Sequence, residues 1–299
     1  MQLKRKLALA AAAAVLLAAC GDGADSAGED RGDGEATAAA DAPQRIVSLS
    51  PAATEMLFAV GAGDQVVAVD DQSDYPEGVP VTDLSGYEPN VEAIATYSPD
   101  LVVASDLPED VTAGLEALDV EVLNLPAATT LDDSYAQLAD LGVATGHEDE
   151  AADVVAGMRA DIDEIVASVP ERATAPTYYH ELDDTLYSAT SATFIGQLYS
   201  LAGLENVADA ADPEGELGGY PQLSPEFLVD ADPDFVFLAD TECCAQDATT
   251  FAARPGFADL TSVREGKVVE LSDDIASRWG PRVVDLLRSI VEATAQVPA

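Results

Sequence analysis

The sequence predicts an α/β protein of two Rossmann-like lobes with mostly parallel sheets, joined by a single long interlobe α-helix. Three observations lead to this fold class. Short apolar strands alternate with helical stretches, one long amphipathic segment divides the chain, and a motif of the first half returns in the second. The length of 299 residues suits one large domain or two ordinary ones.

The composition is that of a globular and very acidic protein. Hydrophobic residues make up 48% and charged residues 23% of the chain, which argues against a fibrous or wholly disordered protein. Asp and Glu number 56 against 13 Lys and Arg, giving a formal net charge of −43. Such a chain repels phosphate backbones, so its composition excludes a nucleic-acid partner and disfavours a bare anionic membrane surface.

The N-terminus has the pattern of a secretory signal. Basic residues at 4–6 precede an apolar run, 7–19, that is too short to span a bilayer. We therefore predict a signal peptide over residues 1–19. Cys20 follows small residues at the predicted cleavage site and is similar to the lipidated cysteine of the bacterial lipobox; plain secretion with a chance cysteine is the alternative.

Residues 20–42 contain no aromatic side chain and are rich in Gly, Ala and Asp, so they are predicted to form a disordered acidic tether. With Cys20 lipidated, the protein is expected at the extracytoplasmic face of the cell membrane, held through its lipid anchor only.

The first lobe is predicted over residues 43–147. Apolar strands are expected at 45–50, 66–69, 101–104 and 120–123, with a helix over 51–60 that ends at Gly61. Strands and helices that alternate at this spacing indicate a mostly parallel sheet with both faces covered.

A long helix is predicted over Glu148–Val169, because apolar side chains recur at steps of three and four residues. At 1.5 Å per residue it would measure about 33 Å. Pro170 ends the interlobe segment 148–170, and the second lobe is predicted over 174–299 with its first strand at 177–179. A single connecting helix resists bending, so we expect small lobe motions.

The two halves share a motif in which a short helix with an early Glu leads through Pro-Asp into a buried strand. Glu92 and Asp100 in the first half correspond to Glu226 and Asp234 in the second. The shared offset supports two similar lobes, although Pro-Asp turns also recur by chance in unrelated α/β proteins. Ligands of such folds bind at the carboxyl ends of strands and between lobes.

Several segments, in this order, resemble the periplasmic cobalamin-binding proteins. They are Arg-Ile-Val-Ser-Leu-Ser-Pro-Ala-Ala-Thr-Glu at 45–55, Ser-Asp-Tyr-Pro at 73–76, Pro-Asn-Val-Glu at 89–92, Tyr-Pro-Gln-Leu-Ser-Pro-Glu at 220–226 and Arg-Trp-Gly-Pro-Arg at 278–282. The resemblance covers residues 43–297. It implies a monomeric solute-binding protein of an ABC importer, whose relatives bind cobalamin, ferric siderophores or haem.

The resemblance also implies roles for two glutamates. Glu92 and Glu226, one in each lobe, correspond to the family's docking glutamates, which pair with arginines of the membrane permease. The alternative is local, since a carboxylate in the first turn of a helix interacts favourably with the helix dipole. Ser224 as N-cap and Pro225 at the first helical position fit this alternative, and both roles are compatible.

The ligand site implied by the resemblance draws on both lobes. Its predicted members are Gln72, Tyr87, Ser105, Tyr187, Tyr220, Arg278 and Trp279. The tyrosines offer flat apolar faces with a polar tip, which suit a bulky amphipathic ligand, although core or rim packing is their ordinary alternative. Gln72 and Ser105 stand where relatives have aromatic residues, and this departure weakens the case for cobalamin.

Cys243 and Cys244 are adjacent and follow the apolar strand predicted at 235–239. In an extracytoplasmic compartment thiols tend to oxidise, so we hypothesise a vicinal disulfide in a loop facing the cleft. Free thiols, an intermolecular bridge and soft-metal binding remain alternatives.

Rival functions find less support in the residues. The sequence has no phosphate-binding loop and no nucleophile elbow, so we predict no enzyme, no catalytic residue, no cofactor and no resident metal. A haem carrier would use Tyr87, Tyr187, Tyr220 or His180 as axial ligand. A ferric-siderophore carrier would be expected to have more arginines in the cleft. A structural surface lipoprotein that binds no ligand is the alternative from a different functional class.

Overall fold

The computed structural model describes residues 42–295, which form two α/β lobes. The predicted signal peptide, Cys20 and nearly all of the predicted tether lie outside the described residues. Within 42–295, no helix is both long and apolar enough to cross a bilayer.

The N-terminal lobe contains a five-stranded parallel sheet in the order β3-β2-β1-β4-β5. Its strands are β1 (Ile46–Leu49), β2 (Val66–Asp70), β3 (Val81–Leu84), β4 (Leu101–Ala104) and β5 (Glu121–Asn124). Both β1 and β4 are buried throughout, which explains their largely apolar sequences. The sequence did not predict β3, an edge strand that leaves Val81 exposed and has no run of apolar residues.

The C-terminal lobe contains a four-stranded parallel sheet in the order β7-β6-β8-β9. Its strands are β6 (Thr177–Glu181), β7 (Glu205–Asn206), β8 (Phe235–Leu238) and β9 (Val268–Glu270). The fold class predicted from the sequence is therefore confirmed: two parallel sheets belong to two lobes of one α/β chain.

Helices cover the sheets and connect their strands. They are α1 (Pro51–Ala59), α2 (Val91–Ala95), α3 (Glu109–Glu116), α4 (Leu131–Thr145), α5 (Glu148–Ala167), α6 (Phe194–Leu201), α7 (Pro225–Ala231), α8 (Ala248–Ala252), α9 (Thr261–Arg264), α10 (Asp273–Ser277) and α11 (Val283–Thr294). Short 3₁₀ turns lie at Ala62–Gln65, Val207–Ala211 and Phe257–Asp259.

Helix α5 is the interlobe helix. It begins at Glu148, where three acidic residues in the first turn favour the positive end of the helix dipole, and it ends at Ala167, two residues before the predicted end. One face, containing Ala151, Met158, Ile162 and Ile165, is buried. This face packs against α4 and α11, so the helix is supported along its length.

A single apolar core runs through both lobes and the interlobe helix. It contains Ile46 and Leu101 of the first sheet, Met158 of α5, and Tyr178 and Phe235 of the second sheet. Two smaller clusters, one for each sheet, lie on the faces turned away from this core. Because close-packed interiors deform little, this shared core supports the prediction of small lobe motions.

The repeated Pro-Asp motif has a structural reason. A carboxylate oxygen of Asp100 accepts a hydrogen bond from the Gln44 amide at 2.9 Å, just before β1. A carboxylate oxygen of Asp234 accepts one from the Thr177 amide at 2.8 Å, at the start of β6. In each lobe, the aspartate therefore ties the turn after a short helix to the first strand of the sheet.

Two helical glycines give a test of the packing. A Cβ atom at Gly196 in α6 would lie 2.0 Å from the Thr190 carbonyl oxygen, whereas one at Gly157 in α5 would meet nothing within 4 Å. We expect Gly196→Ala to destabilise the protein by about 1–3 kcal/mol through overpacking. Gly157→Ala should stabilise it by about 0.5–1 kcal/mol. Urea unfolding of both variants measures the two changes, and equal signs would contradict the close approach at Gly196.

Candidate functional site

A cavity with a volume of about 720 Å³ lies between the lobes. It opens at the carboxyl ends of β1, β2 and β4 and faces the segment that follows β8. Its walls are formed by Leu49, Ser50, Pro51, Ala52, Asp70, Gln72, Gly86, Tyr87, Ser105, Asp106, Glu242, Cys243, Asp273, Asp274, Ser277, Arg278 and Trp279. This is the position at which ligands bind in open α/β sheets.

The N-terminal wall is built where β1 and β2 end. The Ser50 side chain accepts a hydrogen bond from the Ala53 amide and caps α1, with Pro51 at its first position. Gly86 packs closely against this edge, because a Cβ atom there would lie 2.5 Å from the Leu49 carbonyl oxygen and 2.9 Å from Asp70 Oδ2. Only glycine lets the chain pass so near to the ends of both strands.

The opposite wall is the loop after β8, which Asp273 holds in place. Asp273 accepts hydrogen bonds from the amides of Thr241, Glu242 and Cys243 at 2.7, 3.1 and 2.8 Å. Although burial acts to raise the pKa of Asp273, the amides of Cys243 and Glu242 outweigh it and lower that pKa. The aspartate at the start of α10 therefore stays ionised and fixes Glu242 and Cys243 at the cavity.

A buried acid pair lies beneath the same loop. Arg254 donates to both oxygens of Glu181, at 2.7 and 2.6 Å, and also to the side chain of Gln246 in the loop. Asp240, just after β8, is fully buried, and burial together with the charge of Glu181 raises its pKa to about 7. These groups anchor the base of the loop in the second lobe.

Arg278 lines the cavity but its guanidinium is already engaged. It donates to Glu55 and Asp74 at 3.1 Å, to the Gln72 carbonyl oxygen at 3.1 Å and to Asp274 at 2.5 Å. The arginine therefore joins the segment after α10 to the first lobe. The sequence predicted Arg278 as a cleft residue but did not predict these hydrogen-bond partners.

A second arginine completes this interlobe contact. Arg282 also binds Glu55, whose side chain is almost fully buried, and its guanidinium lies 4.0 Å from the centre of the Tyr75 ring. A buried carboxylate shared by two guanidinium groups holds the lobes in one relative position, because separating them would leave charges unpaired.

The predicted ligand residues do not all meet in one cavity. Gln72, Tyr87, Ser105, Arg278 and Trp279 belong to its walls. Tyr187 and Tyr220 lie outside this lining. Their side chains are 41% and 45% exposed on the second lobe, against 89% for Tyr87 on the first, and Tyr187 forms a β-bridge with Gln222.

Trp279 is held at the base of the cavity by the first lobe. Its Nε1 donates to the side chain of Gln137 at 2.8 Å, and its carbonyl oxygen accepts from Ser134 Oγ at 2.6 Å. Both partners belong to α4, so the indole contributes to the interlobe junction as well as to the wall.

The two histidines lie away from the cavity. His180 is fully buried within the second lobe, where Nδ1 lies 2.8 Å from the Tyr199 hydroxyl, and burial lowers its pKa to about 4. Its inclusion among the candidate haem ligands was therefore wrong. His147 precedes α5 and lies 3.8 Å from Glu150.

The acidic wall residues were missed by sequence reasoning. Asp70, Asp106, Glu242, Asp273 and Asp274 all line the cavity. Asp70 and Asp106 could have been predicted from their positions, because each follows closely on an apolar strand. The carboxyl ends of parallel strands meet at one edge of the sheet, where ligands bind. In a chain with 56 acidic residues, residue type alone gave no such signal.

Glu92 and Glu226 lie in the first turns of α2 and α7 and are exposed. Asn90 and Ser224 cap these helices, accepting hydrogen bonds from amides of the first turn at 2.9 and 3.1 Å. Neither glutamate belongs to the cavity wall. Both carboxylates are thus presented to solvent from equivalent helices of the two lobes.

Cys243 and Cys244 are free cysteines whose sulfur atoms lie 2.7 Å apart, and Cys243 lines the cavity. Burial is the largest cause that raises the pKa of the Cys243 thiol, and the contacts with Cys244 and Asp273 raise it further, to about 12. Among residues 42–295, no three side chains of His, Cys, Asp or Glu are grouped to hold a metal ion.

The family of the chain follows from comparison with known proteins. Residues 46–275 match the family described as periplasmic binding protein. A cobalamin-binding protein of Halobacterium salinarum is 32% identical over 260 residues, which cover 84% of this chain and 69% of that protein. The chain therefore belongs to the periplasmic binding protein family.

Two further similarities extend across most of the chain. An uncharacterized ABC transporter substrate-binding lipoprotein of Bacillus subtilis is 26% identical over 304 residues, covering 94% of this chain and 93% of that protein. The crystal structure of the periplasmic haem-binding protein HutB of Vibrio cholerae superposes with a TM-score of 0.74 at 21% identity, covering 85% and 99% of the two chains. The latter similarity shows the fold alone.

The redox state of the cysteine pair can be tested directly. Both thiols are free in the structure, but their sulfur atoms lie 2.7 Å apart, so we expect Cys243 and Cys244 to form a vicinal disulfide in protein purified without reductant, because exposed thiols oxidise under such conditions. Alkylation before and after reduction, read by mass spectrometry, should modify neither cysteine before reduction and both after it. Two modified thiols in the unreduced protein would refute the disulfide.

Proposed function

We propose that the protein is an extracytoplasmic solute-binding protein that captures a bulky ligand between its lobes and delivers it to an ABC importer. The observation that carries this proposal is the cavity of about 720 Å³ whose walls come from both lobes. Its volume lies within the range of about 300–1,000 Å³ typical of ligand sites. The similarity to a substrate-binding lipoprotein of an ABC transporter supports the same role.

The ligand proposed is cobalamin or a closely related corrinoid. The cavity combines an exposed tyrosine face, Tyr87, with polar wall residues such as Gln72 and Ser105. This mixture suits a large ligand with an apolar ring and amide side chains. The cobalamin-binding relative from Halobacterium salinarum supports this choice. Haem and ferric siderophores are the alternatives that a binding experiment has to exclude.

Membrane attachment is proposed to occur through lipidated Cys20. The support is the basic and apolar sequence before it and the lipoprotein among the similar proteins. The acidic stretch that follows would let the folded body reach a permease in the same membrane.

Docking to the permease is proposed to use Glu92 and Glu226. Both are exposed, one on each lobe, and both lie outside the ligand cavity. Two separate carboxylates that pair with arginines would fix the orientation of the complex, because charged groups across an interface chiefly set orientation and association rate.

A ligand screen tests the binding function. Cyanocobalamin, cobinamide, haemin and ferric siderophores are each added to the purified protein, and its thermal unfolding is followed. At a hundredfold excess over the dissociation constant, a true ligand stabilises the protein by about 2.7 kcal/mol, a shift of roughly 5–10 °C. We expect this shift with the corrinoids. An unchanged midpoint with every compound would contradict the binding of these ligand classes and favour the alternative of a protein without such a ligand.

A double charge reversal tests the docking role. Glu92→Arg combined with Glu226→Arg should abolish uptake of radiolabelled cyanocobalamin by cells that lack the native protein, because both new charges would repel the permease arginines. The soluble variant should keep its corrinoid affinity, as measured by calorimetry.

The matched control for this experiment is Asp64→Arg combined with Glu292→Arg, two exposed positions that carry the same change of charge elsewhere on the lobes. Uptake should persist in the control. Uptake that also persists in the Glu92 and Glu226 variant would show that these residues do not dock the protein.

A further inference from the structure

The cavity is strongly acidic. Six of its wall residues are charged, namely Asp70, Asp106, Glu242, Asp273, Asp274 and Arg278, so five carboxylates face one guanidinium. The whole chain is acidic, and this ratio alone does not distinguish the cavity from the rest of the surface. The hydrogen bonds and ion pairs of each charged side chain determine which charges remain available to a ligand.

Three of these charges are already compensated. Arg278 is bound by Glu55, Asp74 and Asp274, and its charge is therefore neutralised before any ligand arrives. Asp273 accepts hydrogen bonds from three backbone amides, which disperse its negative charge. Within residues 42–295, the cavity wall thus offers no uncommitted cation to an anionic ligand.

Asp106 and Glu242 are exposed, and the charge of each is open to screening by salt. Asp70 differs because it is only 2% exposed although it belongs to the wall at the carboxyl end of β2. Burial raises the pKa of Asp70. Its Oδ1 is enclosed and has no hydrogen-bond partner among the described residues, whereas Oδ2 lies beside Gly86 of the cavity wall, 2.9 Å from where a Cβ atom at Gly86 would be. A buried carboxylate with few donors is costly, and a ligand donor that reaches Oδ2 at the wall would offset part of this cost.

We propose that Asp70 is a specificity-determining residue of the cavity, which accepts an N–H or O–H donor of the ligand and selects neutral or cationic ligands against anionic ones. This inference rests on the proposed binding function. Corrinoid side-chain amides supply N–H donors, whereas haem propionates and catecholate siderophores bring negative charge to a wall without a free cation. When Asp70 is ionised, a carboxylate placed against it leaves two like charges together, which is unfavourable. Because burial raises the pKa of Asp70, this repulsion is measured at alkaline pH.

The test compares two corrinoids that differ in one group. Cyanocobalamin and its monocarboxylic acids, in each of which one side-chain amide is replaced by a carboxylate, are titrated into the native protein by calorimetry. For the acid whose carboxylate faces Asp70, we expect at least tenfold weaker binding, equivalent to about 1.4 kcal/mol. This deficit should persist at 1 M salt, where screening acts within about 3 Å and the exposed carboxylates contribute little.

Two variants assign the effect to its residue. Asp70→Asn keeps the shape of the side chain, removes its charge and adds an amide donor, so it should reduce the discrimination to less than about threefold. Asp106→Asn, an exposed wall position, should change the discrimination only at low salt. Thermal unfolding of each variant confirms that it is folded.

The outcomes separate this inference from the proposed function. Equal affinity of the native protein for cyanocobalamin and all its monocarboxylic acids overturns the inference and leaves corrinoid binding intact. Discrimination that survives in folded Asp70→Asn overturns the role of Asp70. Tighter binding of dianionic haemin than of any corrinoid overturns both the inference and the proposed ligand.

Discussion

The apolar core shared by the two lobes is the constraint on which the rest of this structure depends. Met158 and Ile162 of the interlobe helix pack into the same cluster as the inner faces of both sheets. Helix α5 is therefore one part of a continuous interior, and tilting one lobe against the other would expose that interior to water. Close packing of this kind resists small deformations, so it fixes the positions of the cavity walls relative to each other.

Polar contacts complete the junction at the side where the cavity opens. Glu55, almost fully buried, binds both Arg278 and Arg282, and the Trp279 indole is held by α4. These contacts hold the two lobes at a fixed distance from each other. The ion pairs also neutralise the positive charge of Arg278, which lines the cavity. The residues that hold the lobes together therefore also determine the electrostatic potential at the ligand site.

Much of the architecture could be read from the sequence, because it follows from local pattern. Strands β1 and β4 are buried on both faces and show as apolar runs, and the buried face of α5 shows as helical periodicity. Edge strand β3 escaped detection because half-exposed edges carry no such run. His180 follows the strand predicted at 177–179, which made it a candidate ligand, but the structure places it inside β6, fully buried and next to the Tyr199 hydroxyl.

The sequence by itself determined the α/β class, the interlobe helix and the acidic charge, and it led to five of the seven predicted ligand residues that line the cavity, since local periodicity, composition and motif resemblance encode these features. Only the tertiary structure decided that Arg278 is already paired, that Tyr187 and Tyr220 stand apart from the cavity lining, and that Asp70 is buried with an unpartnered oxygen. Those facts depend on which side chains meet across more than two hundred residues of chain, as Arg278 and Glu55 do, and no local pattern specifies such a meeting.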